Sequence, residues 1–162
     1  MVSENEMRLT MGKFLTGVAV VTTVDNVGNP HAMTANSLTS ISLIPPLLLI
    51  AVGHERNTFH YISENTRFGI SILRSDQSKV ARESSFSENN DDHECSAVPY
   101  NLIQDSMPMI AGCLAFLDCT VQAQHVYGDH TVFIGMVTKT QTFSGSPLLF
   151  YEGQWAQINL DA

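Results

Sequence analysis

The chain has little charge. Only 15% of its 162 residues are Asp, Glu, Lys or Arg, and 16 acidic residues face 8 basic ones, for a formal net charge of −8. That balance argues against nucleic acid and anionic membranes as partners. Any phosphate site must concentrate a few of those scarce cations. So sparse a charge also suits an exterior partly covered in an oligomer. Long apolar runs are missing as well. The longest, residues 44–52, contains Pro45 and Pro46 and falls far short of the ~20 residues a membrane-spanning helix needs. The opening Met1-Val2-Ser3-Glu4-Asn5-Glu6 lacks the basic-then-apolar pattern of a secretory leader. Three cysteines, Cys95, Cys113 and Cys119, show no framework spacing and read as reduced thiols in a cytoplasmic protein.

Several chemical signatures are also lacking. There is no G-x-G-x-x-G, no Walker loop and no H-E-x-x-H, and no G-x-S-x-G elbow. A nicotinamide cofactor, if used, is therefore not held by a Rossmann unit. No repeat or linker divides the sequence, so residues 1–162 read as one domain. The one polar irregular stretch, residues 84–101, reads as a long surface loop of the kind that forms lids or interfaces. Within it, His93-Glu94-Cys95 has no second ligand pair at zinc spacing, and no metal is expected there.

What is present is a hydroxyl-rich stretch, His31-Ala32-Met33-Thr34-Ala35-Asn36-Ser37-Leu38-Thr39-Ser40-Ile41-Ser42, which reads as one extended strand. A half-buried strand keeps its polar groups on one face. Here Thr34, Ser40 and Ser42 fall on one parity and Ser37 and Thr39 on the other. Such an edge suits a flat ligand that needs hydrogen bonds along one rim and apolar contact on its faces, as a flavin ring does. The other reading is a polar edge strand satisfied by its neighbours.

Around this stretch the pattern predicts a helix over residues 1–14, with Met7, Met11 and Phe14 in register and Gly17 ending it. Strands are expected at 18–24, 47–52, 68–73, 113–127 and 131–141, with a final hairpin of 148–151 and 154–158 around Glu152-Gly153. Short helices are expected at 57–65, with Phe59 and Ile62 inward, and at 77–84. The polar even positions from Asp118 onward imply that the long strand leaves cover for solvent there. Strands joined by hairpins, without βαβ alternation, indicate a closed or partly closed antiparallel barrel.

The ordered set Thr16-Gly17-Val18-Ala19-Val20-Val21-Thr22-Thr23, the 33–42 segment, Pro45-Pro46, Gly128-Asp129-His130 with Val132-Phe133-Ile134-Gly135, and Pro147-Leu148-Leu149-Phe150-Tyr151 resembles the short-chain flavin reductases. These are the reductase components of two-component flavin monooxygenases. The resemblance spans nearly the whole chain. It implies a mainly β fold with short helices, the FMN-binding split β-barrel (a Greek-key antiparallel barrel), in a homodimer with flavin near the interface. It implies hydride transfer from NADH or NADPH to FMN or FAD, with reduced flavin diffusing to a partner oxygenase. Two alternatives stay open: a tightly flavin-bound reductase of a corrinoid cobalt or ferric complex, and a non-enzymatic flavin- or haem-binding barrel.

Carried onto this chain, the resemblance places Thr34, Ala35, Asn36 and Ser37 against the isoalloxazine, with Met33, Ser40, Ala51 and Gly53 in the same cofactor set. His54, Arg56, Asn57 and Thr58 lie where the family holds the flavin phosphate. Asn57 or Thr58 can cap the following helix, and a helix N-terminus beside Arg56 is a ready anion site. Lys79 is expected to add charge there. The family's Ala-x-x-Phe element is two residues longer here, Ala81-Arg82-Glu83-Ser84-Ser85-Phe86. His130 is the candidate catalytic residue, beside the flavin face and in contact with the reduced pyridine nucleotide, and Asp129 orients it or shapes the turn. His31 is placed near the ring. Trp155 and Tyr151 are candidates for a subunit contact.

Overall fold

Five of the six residues in Ala19–Val24 are β-branched, and this strand, β2, is buried along nearly its whole length. Both of its faces are covered because side chains alternate across a strand. Val21 joins Met33, Leu48, Ile50, Val52, Ile62, Phe68, Ile70, Cys119 and Phe133 in one core. Val20 joins Leu73, Ala81, Ile110, Cys113, Phe116 and Leu148 in a second. The buried Thr22 and Thr23 hydroxyls donate to the carbonyls of Pro108 (2.6 Å) and Arg67 (3.0 Å), which removes the cost of placing them there.

The structure, a computed structural model, describes residues 1–85 and 98–156. In chain order the elements are α1 (Glu4–Met11), β1 (Thr16–Gly17), β2, β3 (Pro30–Ala35), β4 (Leu38–Leu43), β5 (Pro46–Gly53), α2 (Asn57–Asn65), β6 (Arg67–Ile72), α3 (Ser78–Glu83), β7 (Tyr100–Asn101), β8 (Met109–Ile110), β9 (Ala115–Tyr127), β10 (His130–Thr142), β11 (Leu149–Tyr151) and β12 (Gln154–Ala156). The fold is mainly β with short helices. Seven strands form one antiparallel sheet in the order β3-β2-β6-β9-β10-β5-β4.

The edges of that sheet, β3 and β4, are consecutive in sequence and separated by Asn36 and Ser37 alone. A flat sheet would hold its outer strands about 29 Å apart, six spacings of roughly 4.8 Å. The link from Ala35 to Leu38 reaches about 11 Å at most. The sheet therefore rolls up until its edges meet at Asn36–Ser37. Glycine permits one close approach inside the roll: a Cβ on Gly135 of β10 would lie 2.5 Å from Phe68 Cζ.

Three expectations change. The stretch 31–42 is two strands on opposite edges of the sheet, not one. The turn at Asn36–Ser37 and a register shift between Ser40 and Ser42 explain why its hydroxyls fall on both parities. The N-terminal helix covers only Glu4–Met11 and ends at Gly12; Gly17 lies in β1, and Phe14 lies beyond the helix. Asp118 is not the start of a solvated stretch. It is 1% exposed, receives a hydrogen bond from Arg67 at 3.0 Å, and accepts the Met107 N–H at 3.3 Å. Exposure on β9 begins further on, at Gln122. Strand β12 is seen over Gln154–Ala156, and the last two residues of the expected 154–158 strand lie outside the described residues.

Candidate functional site

The site is built at the seam where the sheet edges meet. Thr34 lies on the free edge of β3. Its N–H donates to the carbonyl of Ser84 (3.1 Å) and its hydroxyl to that of Ala81 (2.6 Å), so the C-terminal end of α3 is pinned to this edge. The next N–H on the same edge, two residues on, is that of Asn36. Among the described residues neither the Asn36 and Ser37 N–H groups nor the exposed Asn36 amide has a partner. Ser37 closes the seam from the other side, its hydroxyl donating to the carbonyl of Ala51 at 2.7 Å.

Arg56 reaches the same place. It precedes α2, whose first turn has neither an acidic residue nor a side-chain cap. Its guanidinium donates to the carbonyl of Ser85 at 3.1 Å, one residue beyond the carbonyl that receives Thr34. A helix N-terminus with unsatisfied N–H groups and a half-buried cation attracts an anion. Asn57 and Thr58 do not cap the helix as expected: Arg56 occupies the N-cap position, Asn57 is the first helical residue, and Thr58 is buried.

At the end of β5, His54 donates its N–H to the carbonyl of Asp129 at 3.1 Å. His130, the first residue of β10, lies opposite Gly53. Its Nδ1 is 2.8 Å from Asp129 Oδ1, and that contact holds the Asp129 carboxyl below the usual carboxylate range. The His130 side chain is 46% exposed, and its Nε2 has no partner among the described residues.

Two cavities flank Ala35–Asn36. One, of about 310 Å³, is lined by Val18, Thr34, Ala35, Asn36, Ser85, Phe150 and Trp155. The other, of about 320 Å³, has walls that include Thr16, Gly17, Ala19, Ala35, Asn36 and Leu38. Small side chains, one aromatic wall and an unpaired rim of N–H groups match what a planar, hydrogen-bonding heterocycle requires.

The profile of the flavin reductase like domain matches residues 11–159. This chain belongs to the flavin reductase family. The NADH-dependent flavin reductase of a Rhodococcus species is 36% identical over 156 residues, which cover 95% of this reductase-family chain and 86% of that protein. The reductase subunit HsaB of a flavin-dependent monooxygenase from Rhodococcus jostii is 30% identical, covering 99% of this chain and 80% of its own length. Among solved structures, the NADH:FAD oxidoreductase SgcE6 of Streptomyces globisporus, in complex with NAD and FAD fragments, superposes with a TM-score of 0.89 at 34% identity, covering 100% of this chain and 98% of that one.

The residues anticipated for this flavin reductase family member separate into groups. Thr34, Ala35 and Asn36 line a cavity, and Arg56 converges on it through Ser85. Gly53, His54, Asp129 and His130 cluster just past Ala51 at the end of β5, outside both cavity walls. Met33 is a core residue. The Thr34 and Ser37 hydroxyls are already bonded within the chain, as in the alternative reading of a polar edge. Ser40 lines a separate apolar groove alongside β4 and β5. Lys79 has its side chain 86% exposed and 3.6 Å from Glu83, and lines neither cavity. His31 packs on Tyr61 at 4.2 Å between ring centroids and lies 3.4 Å from Asp25, so it is a core histidine remote from the seam. Phe86 and His93-Glu94-Cys95 lie outside the described residues.

Reading the sequence alone missed Val18, Ser85, Phe150 and Trp155 as cavity walls. The aromatic pair, with ring centroids 5.1 Å apart, comes from the hairpin that follows Pro147. Phe150 lies within the Pro147–Tyr151 segment that resembles the family, but nothing in the sequence marks it or Trp155 as a cavity wall.

Proposed function

We propose that this protein is a cytoplasmic NAD(P)H:flavin oxidoreductase of one domain, residues 1–162, which reduces FMN or FAD for a partner monooxygenase. The observation that carries this is the convergence of Thr34 and Arg56 on the carboxyl end of α3, with the unpaired Asn36 next along the same edge, which sets an open hydrogen-bonding rim beside an anion cradle. A flavin nucleotide has the complementary layout, a planar ring with polar edges and a phosphate a short chain away. When bound, it supplies the acceptor for a hydride leaving the reduced nicotinamide.

The chain's own residues bind, orient and exclude water. The N–H groups of Asn36 and Ser37 and the Asn36 amide hold the polar rim of the ring. Gly17, Val18, Ala19 and Ala35 leave flat apolar walls on either side. Arg56 and the N-terminus of α2 take the phosphate. His130, with Nδ1 fixed by Asp129, keeps Nε2 for the nicotinamide. No nucleophile or general acid is required, because hydride transfer depends chiefly on two rings held face to face. The protein thus supplies geometry, in keeping with the absence of a catalytic triad motif.

The reading includes the split β-barrel in its homodimeric form. The rolled sheet supports the barrel. An apolar groove of about 530 Å³ between β4–β5 and β9–β10, with Leu43 87% and Ile44 94% exposed at its side, supports burial against a second copy. Among the described residues no helix is long and apolar enough to cross a membrane.

The decisive assay follows NADH and NADPH loss at 340 nm with FMN, FAD or riboflavin. Saturable oxidation that depends on flavin is expected, and light scattering on the same preparation should give twice the chain mass. Absence of flavin-dependent oxidation would end the reading.

A further inference from the structure

His54 is bonded to the residues on both sides of His130. Its N–H donates to the carbonyl of Asp129 at 3.1 Å, and its Nε2 shares a hydrogen bond with the Thr131 hydroxyl at 3.0 Å. Its ring packs on Phe59 with centroids 4.9 Å apart, and Phe59 in turn lies 6.2 Å from Phe133 in the core. Thr131 is 2% exposed. Alternation along β10 turns Thr131 inward and His130 outward, so His54 holds the segment from beneath while His130 faces solvent.

Residues 124–130 at this end of β9 and β10 are all exposed, so little packing fixes the tip. Apart from the ladder with β5, the two bonds to His54 are its attachment to the end of β5. A ring committed to Thr131 and Phe59 is not a phosphate ligand, and the cradle at Arg56 does not need it.

We propose that His54 is a positioning residue: by fixing Asp129 and Thr131 it sets the His130 ring for the reduced nicotinamide. The proposal rests on the nicotinamide role of His130 given above. It adds a physical link from the start of α2, where the flavin phosphate is held, to the contact with the hydride donor. Loosening that link should affect the nicotinamide and leave flavin binding alone.

Thr131→Val removes the hydroxyl at nearly constant volume, and Thr131→Ser restores it. Steady-state kinetics should show the KM for NADH rising about three- to tenfold in Thr131→Val, the range one neutral hydrogen bond supplies, with the flavin KM within about twofold. Thr131→Ser should return to within about twofold of the parent. In a His130→Ala background, Thr131→Val should add nothing further to the NADH KM, since both changes act through the same ring. Should Thr131→Val melt too low to assay, His54→Phe keeps the Phe59 contact, loses the hydrogen bond and carries the same comparison. Equal rises in both KM values, or additive effects over His130→Ala, would overturn the proposal. If His130→Ala raises the NADH KM and Thr131→Val does not, only the positioning role fails. If His130→Ala leaves it unchanged, the nicotinamide role of His130 fails and the positioning role with it.

Discussion

Replacing Arg56 by Met tests the anion cradle directly, because riboflavin provides an internal control. Riboflavin has the ring of FMN and lacks its phosphate. A charge-assisted contact contributes about 1.5–3 kcal/mol when well desolvated. The Arg56 side chain is 34% exposed and also lies 3.4 Å from the Glu55 carboxylate, so solvent screening and that neighbour lower the share available to a phosphate to about 1–2 kcal/mol. FMN should therefore bind about five- to thirtyfold more weakly to Arg56→Met, and riboflavin should be nearly unaffected. Titration of flavin fluorescence quenching reads both constants. Repeating it at high salt should narrow the gap for the parent protein, since a partly exposed charge is screened. Equal weakening of FMN and riboflavin would refute the reasoning. It would mean that Arg56 serves the site only as a brace on the Ser85 carbonyl.

Three further outcomes are expected. Gly135→Ala forces a methyl to within 2.5 Å of the buried Phe68 ring; it should cost about 1–3 kcal/mol and lower Tm by roughly 3–10 °C in a thermal melt, and an unchanged Tm would show that the ring yields freely. Burial pushes the Cys119 thiol up to about 12 from an ordinary value near 9.0. The folded state then holds this proton more tightly than the unfolded chain does, so the contribution is intact below about pH 9 and lost as pH rises toward 12, which denaturant titrations across that window should show as falling stability. Because Trp155 is the one tryptophan and walls a cavity beside Asn36, added FMN should quench its emission with the affinity measured from flavin fluorescence, and an unresponsive tryptophan would place the ring elsewhere.

Much of this molecule can be read from the sequence. The spacing of Phe59 and Ile62 marks α2 at its true bounds, residues 57–65, and the β-branched stretch expected at 18–24 marks β2, one residue longer than its observed Ala19–Val24. Those signals are local, set by periodicity and side-chain shape. The break at Asn36–Ser37 is harder to see, because a two-residue turn between strands on opposite sheet edges has no glycine or proline to announce it. The mixed parity of Thr34, Ser37 and Thr39 carries that information, although at first it reads as ligand chemistry. Asp118 misleads for a related reason: its partner Arg67 is 51 residues away, and a carboxylate reads as surface until its cation is found. The aromatic wall of Phe150 and Trp155 follows from tertiary folding alone, as does the grip of His54 on both neighbours of His130.

The two-residue tie at Asn36–Ser37 has a mechanical consequence. A ring seated there rests on the outermost strands of the sheet at once, so it works as a rivet between the ends of the roll. Part of the affinity for flavin becomes resistance to unrolling, and the loaded protein should outlast the empty one under heat by an amount that grows with the logarithm of free flavin. The same tie has no slack, so residues inserted between Ala35 and Leu38 would let the rim drift from the cradle while the core stayed packed. Such a variant would fold and still fail to turn over.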